Sequence, residues 1–249
     1  MLVPNPRGGY SFLKGIAPYS AGVAASAGFE IERARLAKPL PVAQAFTRLD
    51  AHLSSLARPP QALCGMELRS PQPFTFAGFN AFNASYVHFL EQRKIPVSGL
   101  NPVARTNVAP EIAAPAEPVV YAFSYTIPSH STSPSFVVAG SGELPEGSLD
   151  PHDVVRRGEN SQHALAEKAR FVLGIMDRRL SGLGASWEQV GAVDVYTVHN
   201  IHPLLASIIV PETGNARNGI VWHYTRPPIA SIEFEMDVRG CSREIVLGP

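Results

Sequence analysis

The constraint that narrows the fold of this chain most is an approximate internal repeat. Residues 49–56 (LDAHLSSL) and 176–183 (MDRRLSGL) each close a stretch of helical periodicity. In the first stretch Val42, Phe46, Leu49, Leu53 and Leu56 fall on one face; in the second, Leu165, Ala169, Val172, Met176 and Leu180 do. A short turn and a predicted strand follow each, at 62–68 and at 191–197. Farther on, 102–108 (PVARTNV) matches 215–221 (NARNGIV), and each half ends on an alternating strand, 119–126 and 230–238. The pattern reads as two copies of one unit, each opening with a β-hairpin and mixing strands with helices. The turn-forming segment 128–134 separates them, giving domains 1–128 (divergent) and 129–249. Helices on one face of a mixed sheet in each copy predict an α+β protein. Between its third strand and its arginine the first copy has a helix carrying Phe79, Phe82 and Tyr86 on one stripe; the second copy has only the short stretch 202–212.

Chemistry concentrates in residues 214–238, which read as strand, turn, strand. Ile232, Phe234, Met236 and Val238 alternate with Glu233, Glu235 and Asp237, so one sheet face is apolar and the other carries carboxylates. Arg217 enters the preceding extended run, and Arg226-Pro227-Pro228 breaks the two apart. A guanidinium can grip a carboxylate through paired hydrogen bonds, and a nearby carboxylate can hold or activate water.

Charge and cysteine usage exclude several classes. The formal net charge is zero and charged residues make up 17%, so a phosphate-backbone binder is not expected. Cys64 and Cys241 form no ligand cluster, which fits a reducing compartment. No apolar run approaches the ~20 residues that cross a bilayer, and no leader-like segment opens the chain, so the expectation is a cytoplasmic protein without membrane contact. His199 and His202 are three residues apart, but Pro203 breaks the helix that would align them, and no third ligand follows. No metal and no cofactor are therefore expected.

The second copy carries Ser141-Gly142-Glu143-Leu144-Pro145, Gly184-Ala185-Ser186, Ala216-Arg217 and Ile232-Glu233-Phe234-Glu235. The first keeps Pro18-Tyr19-Ser20 and Ala104-Arg105-Thr106-Asn107-Val108. In these segments the chain resembles the Rid (YjgF-type) family. The resemblance implies two tandem ferredoxin-like, chorismate-mutase-like units, each a mixed β-sheet with helices on one face. It also implies a homo-oligomer, as a trimer or a pseudo-hexameric arrangement of domains. The implied activity is cofactor-free hydrolysis of reactive imine or enamine carboxylates (2-aminoacrylate-like or aminomuconate-like), giving a 2-keto acid and ammonia. Carried over, Arg217 would hold the carboxylate of a small substrate and Glu233 would position water. Tyr19, Arg105, Ser141 and Gly142 would line the pocket. Because the first copy keeps the tyrosine and the second the acid, one composite site could draw on both. Two other readings stand beside this: a non-catalytic carboxylate binder or regulator, and RNA cleavage, which the neutral charge disfavours.

Overall fold

The computed structural model describes residues 2–148, 150–214 and 216–248; Asn215, part of the second arginine segment, lies outside the described residues. Long helices form where apolar residues recur at helical spacing. Helix α1 (Val42–Ser55) buries Ala45, Phe46, Leu49 and Leu53. Helix α2 (Phe76–Gln92) begins at Thr75, whose side-chain oxygen accepts the Gly78 N–H, and it buries Phe79, Asn83, Tyr86 and Leu90. Helix α3 (Gln162–Leu183) begins at Ser161, which accepts the Ala164 N–H, and stops at Gly184 with a left-handed φ of 74°. Residues 202–213 make only an irregular helical segment with a π turn at Leu205–Ile209.

The strands form two mixed sheets. The seven-stranded sheet runs β1 (Leu2–Asn5), β2 (Tyr10–Leu13), β3 (Gly22–Ala25), β8 (Phe136–Gly142), β12 (Glu235–Arg239), β9 (Ala192–Tyr196), β10 (Ile220–His223). The six-stranded sheet runs β11 (Thr225–Arg226), β6 (Ala104–Pro110), β5 (Leu63–Arg69), β7 (Val119–Pro128), β4 (Phe29–Pro41), β13 (Arg243–Leu247). The inner strands follow equivalent orders, β4-β7-β5-β6 and β8-β12-β9-β10, and this is what the sequence repeat records.

This topology corrects the expected fold class of two tandem ferredoxin-like, chorismate-mutase-like (YjgF-type) units. The chain makes one larger two-sheet fold in which both sheets draw strands from both ends of the sequence. The N-terminal strands join the second-half sheet through β3, which pairs antiparallel with β8. The C-terminal strand β13 joins the first-half sheet, pairing parallel with β4. The physical reason is the open edge: β8 and β4 each present a row of backbone donors and acceptors that a distant segment can satisfy. Alternation in a sequence fixes which face of a strand is buried, not which strand lies beside it.

The sheets lie face to face between outer helical layers. Helices α1 and α2 pack on the six-stranded sheet through Phe46, Leu49, Tyr86, Leu90 and Phe123. Helix α3 covers the seven-stranded sheet through Val172, Met176, Phe234, Met236 and Val238. Between the sheets, a small apolar cluster of Tyr10, Phe12, Val23, Ile31, Cys64, Ala104 and Ala139 adjoins a layer of buried charge. There Arg33 grips Glu67 through Nε and Nη2, at 2.6 and 2.7 Å, and its Nη1 reaches Glu244 at 3.3 Å. Glu244 in turn accepts from Arg239 at 2.9 Å, and Arg239 pairs with Asp194. Charges thus alternate from one sheet to the other. Among the described residues no helix is long and apolar enough to cross a membrane.

Breaking such a pair on one side leaves an uncompensated ion in the interior. Replacing Arg33 with Met is expected to destabilise the protein by about 3–5 kcal/mol, read as a lowered urea midpoint with an unchanged slope. A double replacement of Arg33 and Glu67 by apolar residues should recover most of that loss.

Candidate active site

A cavity of about 290 Å³ opens where the two sheets meet. The six-stranded side contributes Arg105 and Asn107 from β6 and Phe79 from α2. The seven-stranded side contributes Gly140, Ser141 and Gly142 from the end of β8, Glu235 from the start of β12, and Arg179 from α3. Tyr19 and Lys14, from the loop between β2 and β3, and the turn 144–148 complete the rim.

Arg105 is 3% exposed and sits in a box of aromatic rings. Its guanidinium carbon is 4.8 Å from the Tyr19 ring centroid, 4.9 Å from Tyr86, 5.5 Å from Phe79 and 5.8 Å from Phe82. Quadrupole attraction from these rings stabilises a cation that has left water. Nη2 donates to the Asn83 Oδ1 at 2.7 Å. Nη1 has no partner among the described residues, and neither has Nδ2 of Asn107, two residues along the same strand. Two buried donors left unsatisfied on the wall of one cavity require a partner that carries lone pairs. Arg179 is also buried: Nη1 donates to the Ala139 carbonyl at 2.8 Å, and Nε donates to Glu146 at 2.7 Å.

The cavity has two carboxyls, Glu146 on the rim, paired with Arg179, and the buried Glu235. Glu235 is 4% exposed, and among the described residues no basic side chain forms an ion pair with it. Burial, then the neighbouring Asp237 and Glu143, push its pKa well above the ordinary carboxylate value, against the weaker pull of Arg179 and Arg105. The carboxyl lies tight against β8: a Cβ on Gly140 would stand 2.3 Å from its Oε1. Gly142 is similarly constrained, because a Cβ there would meet Ile232 at 2.4 Å. Behind Glu235, Asp237 accepts from Thr106 at 2.6 Å and from Tyr196 at 2.8 Å. Its pKa is pushed up to about 7 by burial and by Asp194 and Glu67.

The lead-in to β12 is clamped from α3. Lys168, fully buried, donates to Glu143 at 2.9 Å and to the Val155 carbonyl at 2.9 Å. The Glu143 carboxylate accepts the backbone N–H groups of Glu233, at 2.7 Å, and Phe234, at 3.0 Å. This holds the chain in the register that aims Glu235 at the cavity.

Of the six residues singled out in the sequence, the structure brings Tyr19, Arg105, Ser141 and Gly142 onto one cavity. It does not bring Arg217 and Glu233 there. Arg217 is exposed, in the turn before β10. That turn closes with a left-handed Gly219 and an Asn218 N–H donated to Gly191, which keeps Arg217 off the pleated part of the sheet. Glu233 is half-buried and meets His199 Nε2 at 2.8 Å. The regular strand begins only at Glu235, so position 233 lies in the irregular lead-in between the turn 229–232 and the strand. Among the described residues no group of three His, Cys, Asp or Glu side chains is placed to hold a metal ion.

Sequence reasoning passed over Arg179, Asn107 and the role of Glu235. A signal for Arg179 existed: Lys168 and Arg179 lie three turns apart on the apolar face of α3, where an unpartnered charge would be costly. Both turn out to serve the cavity or its frame.

A family model described as 2-aminomuconate deaminase CnbZ matches residues 2–245. A curated relative, the 2-amino-5-chloromuconate deaminase of Comamonas testosteroni, is 44% identical over 243 residues, covering 96% of this chain and 96% of that one. Among solved structures a chorismatase aligns with a TM-score of 0.55 at 11% identity, covering 88% of this chain and 77% of that one; this likeness is one of fold. These findings correct the Rid (YjgF-type) resemblance. The matching family is a different one, and it spans the chain as a single unit rather than as two small ones.

Replacing Glu235 with Gln, a neutral isostere, tests the buried acid without chemistry. A carboxyl whose folded pKa is raised loses stability for the fold as pH climbs above its unfolded value, because the unfolded chain can ionise there and the folded one resists. The variant should therefore melt higher than the parent, with a gap that opens above the ordinary carboxylate range and levels off past the folded pKa. Equal melting temperatures across pH 4–9 would show an unperturbed side chain.

Proposed function

Because this chain belongs to the family of 2-aminomuconate deaminase CnbZ, we propose that it deaminates an aminomuconate-like substrate by hydrolysis, giving a 2-oxo acid and ammonia. The observation that carries this reading is the cavity itself. It joins orphaned donors on Arg105 and Asn107, a second buried guanidinium on Arg179, and the buried acid Glu235, whose pKa is raised. A 2-amino-2,4-dienedioate is a flat conjugated dianion. Arg105 takes one carboxylate through its free fork edge, with Asn107 beside it. Arg179 and Lys14 supply the positive potential for the other. Tyr19 and Phe79 offer aromatic surface to the diene.

The chemistry needs one proton donor that can also serve as acceptor. Glu235, protonated, delivers its proton to the nucleophilic carbon of the dienamine, C3 or its vinylogue C5. The amine becomes an iminium and Glu235 a carboxylate. Water then adds to C2 as Glu235 takes back a proton, which forms the carbinolamine. Glu235 then passes that proton to nitrogen, the C–N bond breaks to release ammonia, and the carbinol hydroxyl gives its proton to the Glu235 carboxylate as the C2=O bond forms. Atoms balance as substrate plus water giving 2-oxo acid plus ammonia. General acid–base transfer of this kind contributes roughly 10²–10⁴-fold. The remaining acceleration comes from holding both carboxylates so that the reacting carbons face the acid.

Purified protein should release ammonia from 2-aminomuconate in a coupled assay. Glu235→Gln is expected to lower kcat by about 10²–10⁴-fold with little change in KM. Arg105→Lys keeps the charge but loses the fork, and is expected to raise KM by at least about tenfold, since a hydrogen bond to a charged group contributes about 1.5–3 kcal/mol. Parent-like kinetics for Glu235→Gln, or a large loss in Arg217→Ala with none in Arg105→Lys, would move the site elsewhere. The rate should fall as pH rises through the raised Glu235 pKa, because only the protonated form starts the reaction.

A further inference from the structure

In the proposed deamination Glu235 delivers a proton to carbon before water is involved, and that step does not require nitrogen rather than oxygen at C2 of the substrate. The groups that recognise the ligand act on its ends: Arg105 and Asn107 from β6 at one side, Arg179 and Lys14 at the other. The acid lies between them against Gly140. Ile229, Ile232, Phe79 and Leu144 give the cavity apolar lining beside the Gly140-Ser141-Gly142 end of β8. Replacing the amino group of a 2-amino-2,4-dienedioate with hydroxyl gives an enol of the same length, planarity and charge. That enol is also nucleophilic at C3 and C5, for the same reason as the enamine: a lone pair conjugated with the diene.

We propose that the cavity is also a keto–enol tautomerase site for 2-hydroxy-2,4-dienedioates, the oxygen counterparts of the amino substrate. Glu235 protonates the dienol carbon, so that a C–H bond forms and the C2=C3 π electrons move. The enol O–H proton passes back to the Glu235 carboxylate, directly or through a cavity water, as the C2=O bond forms. No co-reactant is consumed, and the acid ends the cycle in its starting state. The inference rests on the deaminase reading, since both reactions use the same acid and the same carboxylate anchors. Its consequence for the reaction sequence is that the 2-oxo acid leaves the site as the ketone, even when the dienol forms on the way. A following step would thus be one that consumes an unsaturated 2-oxo diacid.

The test follows the two reactions in one preparation. A 2-hydroxy-2,4-dienedioate is added to the protein in D2O, loss of diene absorbance is timed, and the deuterated carbon of the product is examined for facial selectivity. Ammonia release from the amino compound is measured alongside. The proposal expects ketonisation about 10²-fold or more above the rate without protein, and deuterium on a single face. It expects both effects to vanish in Glu235→Gln. Gly140→Ala, which drives a methyl against the Glu235 carboxyl, should impair both reactions in proportion. Circular dichroism and protection by a saturated dicarboxylate show whether each variant is folded and still binds. Ammonia release at full rate with ketonisation at the background rate, or with deuterium on both faces, overturns the tautomerase and leaves the deaminase standing. Loss of neither reaction in Glu235→Gln overturns the shared acid. Absence of both reactions in the parent overturns the deaminase reading and this proposal together.

Discussion

Two sheets packed face to face across a layer of charged side chains can persist only if those charges are satisfied, and this requirement organises the molecule. Most of them are paired across strands or across sheets. Arg33 holds Glu67 and Glu244, Arg239 holds Glu244 and Asp194, and Lys168 holds Glu143. Breaking one side of such a pair costs far more than the pair contributes, so the network fixes a unique register more than it adds stability. Against that background the exceptions stand out. Arg105 and Asn107 keep unpartnered donors, and Glu235 has no basic partner among the described residues. All three line one cavity. Part of the interior's unmet hydrogen-bonding demand, on Arg105 and Asn107, thus belongs to residues that line a cavity.

The same layer explains why the pKa of the acid is raised. Glu235 shares the inter-sheet space with Asp237 and Glu143, and Asp237 is itself next to Asp194. Like charges in low dielectric cannot all ionise. Asp194, bonded to His223 and Arg239, is held below the ordinary carboxylate value, whereas burial raises Glu143 even though Lys168 and two backbone N–H groups donate to it. Glu235 and Asp237 are likewise raised, by burial first and by their acidic neighbours next. A buried acid with a raised pKa, near the guanidinium groups of Arg105 and Arg179, is what the proposed proton transfer calls for.

Much of the local structure was legible in the residues. The apolar stripes at Val42–Leu56 and Leu165–Leu180 gave the two helices, and alternation gave the strand containing Met236 and Val238 with acids on its reverse face. The exchange of β1–β3 and β13 between the two halves was not legible. Backbone edges carry no side-chain signature, so the sequence of β13 says nothing of its pairing with β4. At the site, Tyr19, Arg105, Ser141 and Gly142 were reached from family-like segments and converge on the cavity. Arg217 and Glu233 were reached by the same route and do not: Arg217 falls in the turn before β10, and Glu233 in the irregular lead-in before β12. A shift of two residues along one alternating run, from 233 to 235, leaves the parity unchanged, and only the turn at 229–232 separates a half-buried partner of His199 from the cavity acid.

The account depends on Glu235 carrying a proton at neutral pH inside a cavity bounded by Arg105 and Arg179. Infrared difference spectroscopy of the parent against Glu235→Gln reads this directly. The account predicts a protonated-carboxyl C=O band at pH 7 that belongs to residue 235, persists well above the ordinary carboxylate range, and shifts when a dicarboxylate is bound. A carboxylate signature for residue 235 at pH 7, with no protonated band and no response to ligand, would contradict it.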